Sequence, residues 1–278
     1  MRAEKGTTRV YGVDFSGARN PSGKLYVAWG TLSADGSEFE PERCVACDDR
    51  LDAFAMLLRS SPDSIWGWDV PFAPAGPAYD RIGFATWEEW LALAAGSSRS
   101  SFLETLDEAF PAVETPCAVH GWACRHTDVA CRAASPFKRV QPNLRAMIYA
   151  GWKLLSYARE AGCTVYPFDE ASEERGGPAL FEVYPSHTAR LAGGARRLEL
   201  SAAAEAAREN AGWRRTPAVE RFVAPNQDAA DACVACLTLA SAYASDREAF
   251  AGGARPSFAG EEEWSARGRE GLIVRLSR

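Results

Sequence analysis

The chain has 278 residues, 47% of them hydrophobic, and a net charge of -6, enough apolar side chain for a sizeable core and too much for a disordered segment. The negative balance argues against a general nucleic-acid coat protein, although a local basic patch can still meet phosphate. No apolar run approaches the roughly 18 residues of a membrane span and MRAEKG leads to the first strand without a signal-like apolar region, so the expectation is a cytoplasmic protein whose eight cysteines stay reduced.

Val10-Tyr11-Gly12-Val13-Asp14 reads as a strand buried on both faces, broken by the small-residue turn Ser16-Gly17-Ala18. A carboxylate at that open strand end is costly unless a cation or donors meet it; the plainer role for Asp14 is to cap the turn through its own backbone. Lys24 to Leu32 and Ser37 to Ala46 are the next two strands, and their short connections favour an antiparallel meander. Leu51, Phe54, Ala55, Leu57 and Leu58 fall at helical spacing within Asp49 to Ser60. Ser64 to Val70 is another buried strand and it too ends on a carboxylate, Asp69, after which Pro71, Pro74, Gly76 and Pro77 forbid its continuation. Three antiparallel strands, a helix and a fourth strand parallel to the first open the ribonuclease H-like fold. A right-handed crossover sets strand four beside strand one, so Asp14 and Asp69 are expected on neighbouring strand ends, where open α/β sheets take ligands.

Between Thr86 and Leu106 two helical patterns, interrupted by Gly96-Ser97-Ser98, read as a helical lid over the sheet edge. Cys117, His120, Cys124, His126 and Cys131 follow, at spacings that fit no zinc pattern; buried cysteines and incidental loop histidines account for them better, and the sequence leaves a metal there open. Asn143 to Ala161 is an amphipathic helix stopped by Gly162. Seven Lys or Arg against two acids lie between Gly121 and Glu160. Arg125, Lys138, Arg139 and Arg145 among them form either a solvated basic face or a surface for a phosphate backbone. Strands are expected at Thr164 to Pro167 and Ala179 to Pro185, and Glu182 within the second needs a partner if it faces inward. Ser201 to Asn210 reads as an exposed helix, and Asp228 to Tyr243 as the last major one. Asp228 and Asp231 share one face of its first turn, where the helix dipole favours negative charge. Cys233 and Cys236 read as core, and Cys44 and Cys47 as having no cysteine pair nearby. The expected architecture is one α/β domain, residues 1–278, with a mixed five-stranded sheet, a helical insertion at approximately 72–140 and a closing strand near 270–276.

The ordered set Val13-Asp14-Phe15-Ser16-Gly17, Trp68-Asp69-Val70-Pro71, Arg125-His126-Thr127-Asp128, Ser135-Pro136-Phe137, Glu182-Val183-Tyr184-Pro185-Ser186, Asn226-Gln227-Asp228-Ala229-Ala230-Asp231 and Glu270-Gly271-Leu272-Ile273 resembles the ribonuclease H-like nucleases catalogued as domain of unknown function 429. The resemblance runs from about Val10 to Val274 and implies an acid cluster on that fold. The chemistry expected is two-metal phosphodiester hydrolysis, with Asp14, Asp69, Asp228 and Asp231 holding Mg2+ or Mn2+, Glu182 as a further ligand or base, and His187 as a proton shuttle. Two other readings use the same residues. In one, Ser16 and Gly17 belong to the phosphate-binding hairpin of an actin-like ATP-dependent phosphotransferase; in the other, the acids are structural capping groups of a binding or scaffold protein. Substrate and oligomeric state are not legible.

Overall fold

The computed structural model describes residues 6–111, 113, 117–139, 143–169, 176–193 and 200–277. Its central strand is β1 (Thr8–Asp14), with β2 (Tyr26–Leu32) antiparallel on one side and β4 (Ile65–Asp69) parallel on the other. β3 (Phe39–Ala46) completes the meander, and α1 (Arg50–Arg59) makes the crossover. The helix begins where the expected spacing places it, because Asp49 and Asp52 form a capping box. β6 (Ala179–Val183) follows β4 in parallel, and its far edge carries β5 (Thr164–Val165) and β7 (Ile273–Val274).

Among the described residues the mixed sheet therefore has seven strands, in the order β3-β2-β1-β4-β6-β5 with β7 on β6, rather than five. The two shortest strands, β5 and β7, fall within the stretches expected to be extended at Thr164 to Pro167 and 270–276, and both add to the edge of β6. Between β4 and β5 run α2 (Gly76–Ile82), α3 (Trp87–Gly96), α4 (Arg99–Ala109), α5 (His126–Cys131) and α6 (Leu144–Glu160). The prolines that end β4 also start a helix, since Pro77 stands in the first turn of α2, where its missing N–H costs nothing. The expected end of the insertion at residue 140 lies outside the described residues. After β6 come α7 (Pro185–Leu191), α8 (Leu200–Ala211), α9 (Gln227–Gly252) and α10 (Glu261–Glu270).

Helices cover both faces of the sheet. Val13, Trp68, Leu57, Trp90 and Trp152 belong to the core under α1, α3 and α6, whereas Val10, Phe181, Cys233 and Leu237 belong to the core under α9. Ala203, Ala204 and Ala207 of α8 are buried, the last two in that second core, so α8 is not the exposed helix its Ala, Glu and Arg content suggests. α9 runs nine residues past the expected Tyr243 to Gly252, with a break in helical geometry at Asp246. Gly12 sets how close α9 lies: a Cβ there would stand 2.2 Å from the Cys236 amide nitrogen and 2.4 Å from the Ala232 oxygen. No helix of the described residues is long and apolar enough to cross a membrane.

Candidate functional site

Parallel pairing puts Asp14 and Asp69 in register at the C-terminal ends of β1 and β4, on strands about 4.8 Å apart. Because side chains alternate along a strand, Asp14 shares the face of Val10 and Gly12, the face covered by α9. The close approach at Gly12 brings the first turn of α9 over this strand end. Asn226 caps that helix through the Ala229 amide, and Asp228 and Asp231 follow it.

The electrostatics confirm that the four acids share one neighbourhood. Burial, then Asp69, Asp231 and Asp228, push the Asp14 carboxyl well above the usual carboxylate range. Asp69 is raised in the same direction by burial first, then Asp231 and Glu182. Asp231 is pushed up to about 6 by burial and Asp228, although the Gln227 amide, 2.9 Å away, pulls the other way. No three of these acids bring ligand oxygens within 4.8 Å of one another, so three do not share a single ion as they stand.

Asp14, Asp69 and Asp228 line a cleft of about 860 Å³. Lys24, Arg99, Arg132, Lys138 and Arg190 line the same cleft, as do Arg125, Asp128 and Glu182. The Ser16–Ala18 turn at its edge is held from below: Arg50 donates to the carbonyls of Ser16 and Ala18, with Nη2 to Ser16 at 2.6 Å. Gly17 lets the turn touch α6, since a Cβ would come 2.7 Å from the Met147 amide.

Other expected site residues lie differently. Glu182 is buried and does have a partner: its two oxygens take Arg125 at 2.6 and 2.7 Å, and one also accepts the Phe72 amide. Held this way, its oxygens are committed to the protein. Asp231 is not among the residues lining the cleft, nor is His187, which is buried in α7. The basic surface is reduced too. Arg125 is buried between Asp128 and Glu182, and Arg145 is buried against Asp107 and the carbonyls of Leu106, Phe110, Pro111 and Phe137. A guanidinium has donors enough to bind several carbonyls and so can be core where a charge count reads it as surface. Arg139 is exposed beside Asp107, and Lys138 reaches the cleft.

The cysteines divide. Cys117 and Cys124 form a disulfide across a short loop, contrary to eight reduced thiols, while Cys44, Cys47, Cys131, Cys163, Cys233 and Cys236 are free. Cys44 does meet a partner from the distant pair, because β3 passes the first turns of α9 and its thiol contacts Cys233. Lys24, Arg99 and Arg190 had no signal in the sequence, since each is a lone cation from a different segment; Arg132 lay inside the basic surplus without standing out from it. Comparison with protein-family models, curated proteins and solved structures yields no match.

Proposed function

We propose that this chain is a ribonuclease H-like phosphodiester hydrolase that depends on a divalent cation, akin to the domain of unknown function 429 nucleases, and that it works in the cytoplasm. The observation that carries the reading is the mixed lining of the cleft: besides the mutually paired Arg125, Asp128 and Glu182, it holds the carboxylates Asp14, Asp69 and Asp228 together with five further Lys or Arg residues. Carboxylates raised by burial and then by neighbouring acids are stabilised by a cation, and an all-oxygen set with room for water suits Mg2+ or Mn2+. Asp14 and Asp69, in register on neighbouring strands, would hold it, with Asp228 and Asp231 adding negative charge from the first turns of α9. When bound, the ion would supply Lewis acidity and a more acidic water.

The chain's own cations have a separate task. Lys24, Arg99, Arg132, Lys138 and Arg190 attract the phosphate and orient it over the acids, which unaided would repel it. Arg125 fixes Glu182 and so keeps the strand end beside Asp69 rigid. The basic surface that meets a nucleic acid or other phosphoester is thus made by these five cleft-lining cations and not by Arg145, while Arg125 lines the cleft with its charge spent on Asp128 and Glu182.

The test is cleavage of single- and double-stranded DNA, RNA, a branched junction and an activated diester, with Mg2+ or Mn2+, by wild type, Asp14→Asn and Asp69→Asn. Either substitution is expected to lower turnover about 100-fold or more and to abolish calorimetric Mg2+ binding at the cleft. Absence of cleavage, with Mn2+ binding unchanged in Asp14→Asn, would overturn the reading. Hydrolysis of ATP but no diester would favour phosphotransfer instead.

A further inference from the structure

On the far side of the buried Arg125, a second group of ligating side chains lies outside the carboxylate cleft. His120 Nε2 is 2.8 Å from Glu270 Oε1, and the His120 and His126 rings stack with centroids 3.7 Å apart and planes 9° from parallel. One ligand atom from each of His120, His126 and Glu270 lies within 4.8 Å of the other two, and among the described residues this is the group that does so. We propose that these three residues bind a borderline divalent transition ion of the Zn2+ class.

Donor chemistry selects the ion. Two imidazoles and one carboxylate suit Zn2+, Co2+ or Ni2+ and not Mg2+, which prefers oxygen and water. Ligands at about 2.0–2.1 Å around a tetrahedral ion stand roughly 3.3 Å from one another, so the 2.8 Å contact needs to open by only a few tenths of an ångström. Three protein ligands leave a fourth position, and a cavity of about 360 Å³ opens on His120 and Glu270 to supply it. Arg269, which also lines that cavity, is turned away over the Tyr79 ring and toward Asp80.

The ligands are held by the surrounding structure. The Cys117–Cys124 disulfide and the Gly121–Cys124 backbone pairing close a short loop around His120. His126 is the first residue of α5, and its amide donates to Glu270 Oε2 at 3.0 Å. Glu270 is buried, and its Oε1 also accepts the Gly76 amide at 2.6 Å, which orients the carboxylate as outer partners of metal ligands do. Glu262, largely exposed, lies 3.6 Å from His126 Nδ1 and adds negative charge at the entrance. An ion here joins the loop and α5, adjacent in sequence, to α10, whose Glu270 lies 144 residues beyond His126.

The test uses full-length, metal-free protein. Co2+ titration followed by visible absorption, and Zn2+ competition against a chromophoric chelator, are expected to find one site with nitrogen and oxygen ligands and no thiolate-to-cobalt charge-transfer band. Asp14→Asn should retain that site. His120→Gln and His126→Gln should each weaken it by more than the ten- to hundredfold that loss of an outer-shell partner costs. Should a histidine variant fold poorly, acylation by diethyl pyrocarbonate in wild type gives an independent reading: Zn2+ should protect His120 and His126 and leave buried His187 unchanged. No Co2+ or Zn2+ uptake, uptake unaltered in both histidine variants, a thiolate band, or absence of protection overturns the proposal.

Discussion

Two groups of buried or half-buried acids lie next to each other at this end of the sheet, and they are treated in opposite ways. Around Arg125, each of the five guanidinium N–H donors has an acceptor: Asp128 twice, Glu182 twice and the Glu270 carbonyl once. Around Asp14, by contrast, no Lys or Arg of the described residues ion-pairs with Asp14, Asp69 or Asp228, and the acids raise one another. The groups stand on adjoining strands, Glu182 on β6 and Asp69 on its neighbour β4, so the fold is able to neutralise acids here and does so in one group only. Acids without a cationic partner, in a cleft that cations also line, are the arrangement expected of a candidate binding site.

The largest expected effect breaks the satisfied group. Arg125→Met leaves Asp128 and Glu182 buried without their cation and should cost about 3–5 kcal/mol of stability, read as a fall in the urea midpoint at unchanged slope. Next in size is Gly12→Ala, which acts on the other group through packing. The added Cβ collides with the backbone of Ala232 and Cys236 and should cost about 1–3 kcal/mol. Because α9 must move off β1, the variant should also lose Mg2+ affinity on calorimetric titration, whereas an equal destabilisation by Leu57→Ala on the opposite core should leave that affinity intact.

How much of this was legible depended on whether the signal was local. β1, β4 and their terminal acids could be read because burial on both faces gives a continuous apolar run, and the right-handed crossover leaves one placement for the second strand. The first helix could be read from its spacing and the long α6 from its apolar stripe and stop. The partner of Glu182 could be demanded but not named, since Arg125 comes from a segment whose charges looked solvated. Lys24, Arg99 and Arg190 meet only through tertiary structure. α10 escaped because its three leading glutamates and two arginines present little apolar pattern, and with it went the position of Glu270 against His120 and His126. The spacing of those two histidines fits no familiar metal pattern because their third partner lies far away in sequence.

The smallest expected effect measures the uncompensated charge directly. Asp231 has a folded-state pKa of about 6 against an ordinary 3.8, so between these values the folded protein binds more protons than the unfolded chain. The stability linked to this proton is fully present below the unfolded value and is lost as pH rises through about 6. Asp231→Asn removes that loss: in metal-free protein it should be more stable than wild type by about 1–2 kcal/mol at pH of about 8, a figure reduced from the full shift because the side chain is partly exposed to solvent. The difference should shrink as pH falls through about 6 and vanish near 4, when both side chains are neutral. Urea midpoints of the two proteins at matched pH test it, and a gap of the opposite sign, with the Asp231→Asn variant the less stable at high pH, would mean that the carboxylate is already compensated and that the contrast with the Arg125 group is false. Saturating Mg2+ should narrow the gap at high pH, because an ion that binds only the folded protein stabilises it by mass action and gains most where Asp231 is ionised.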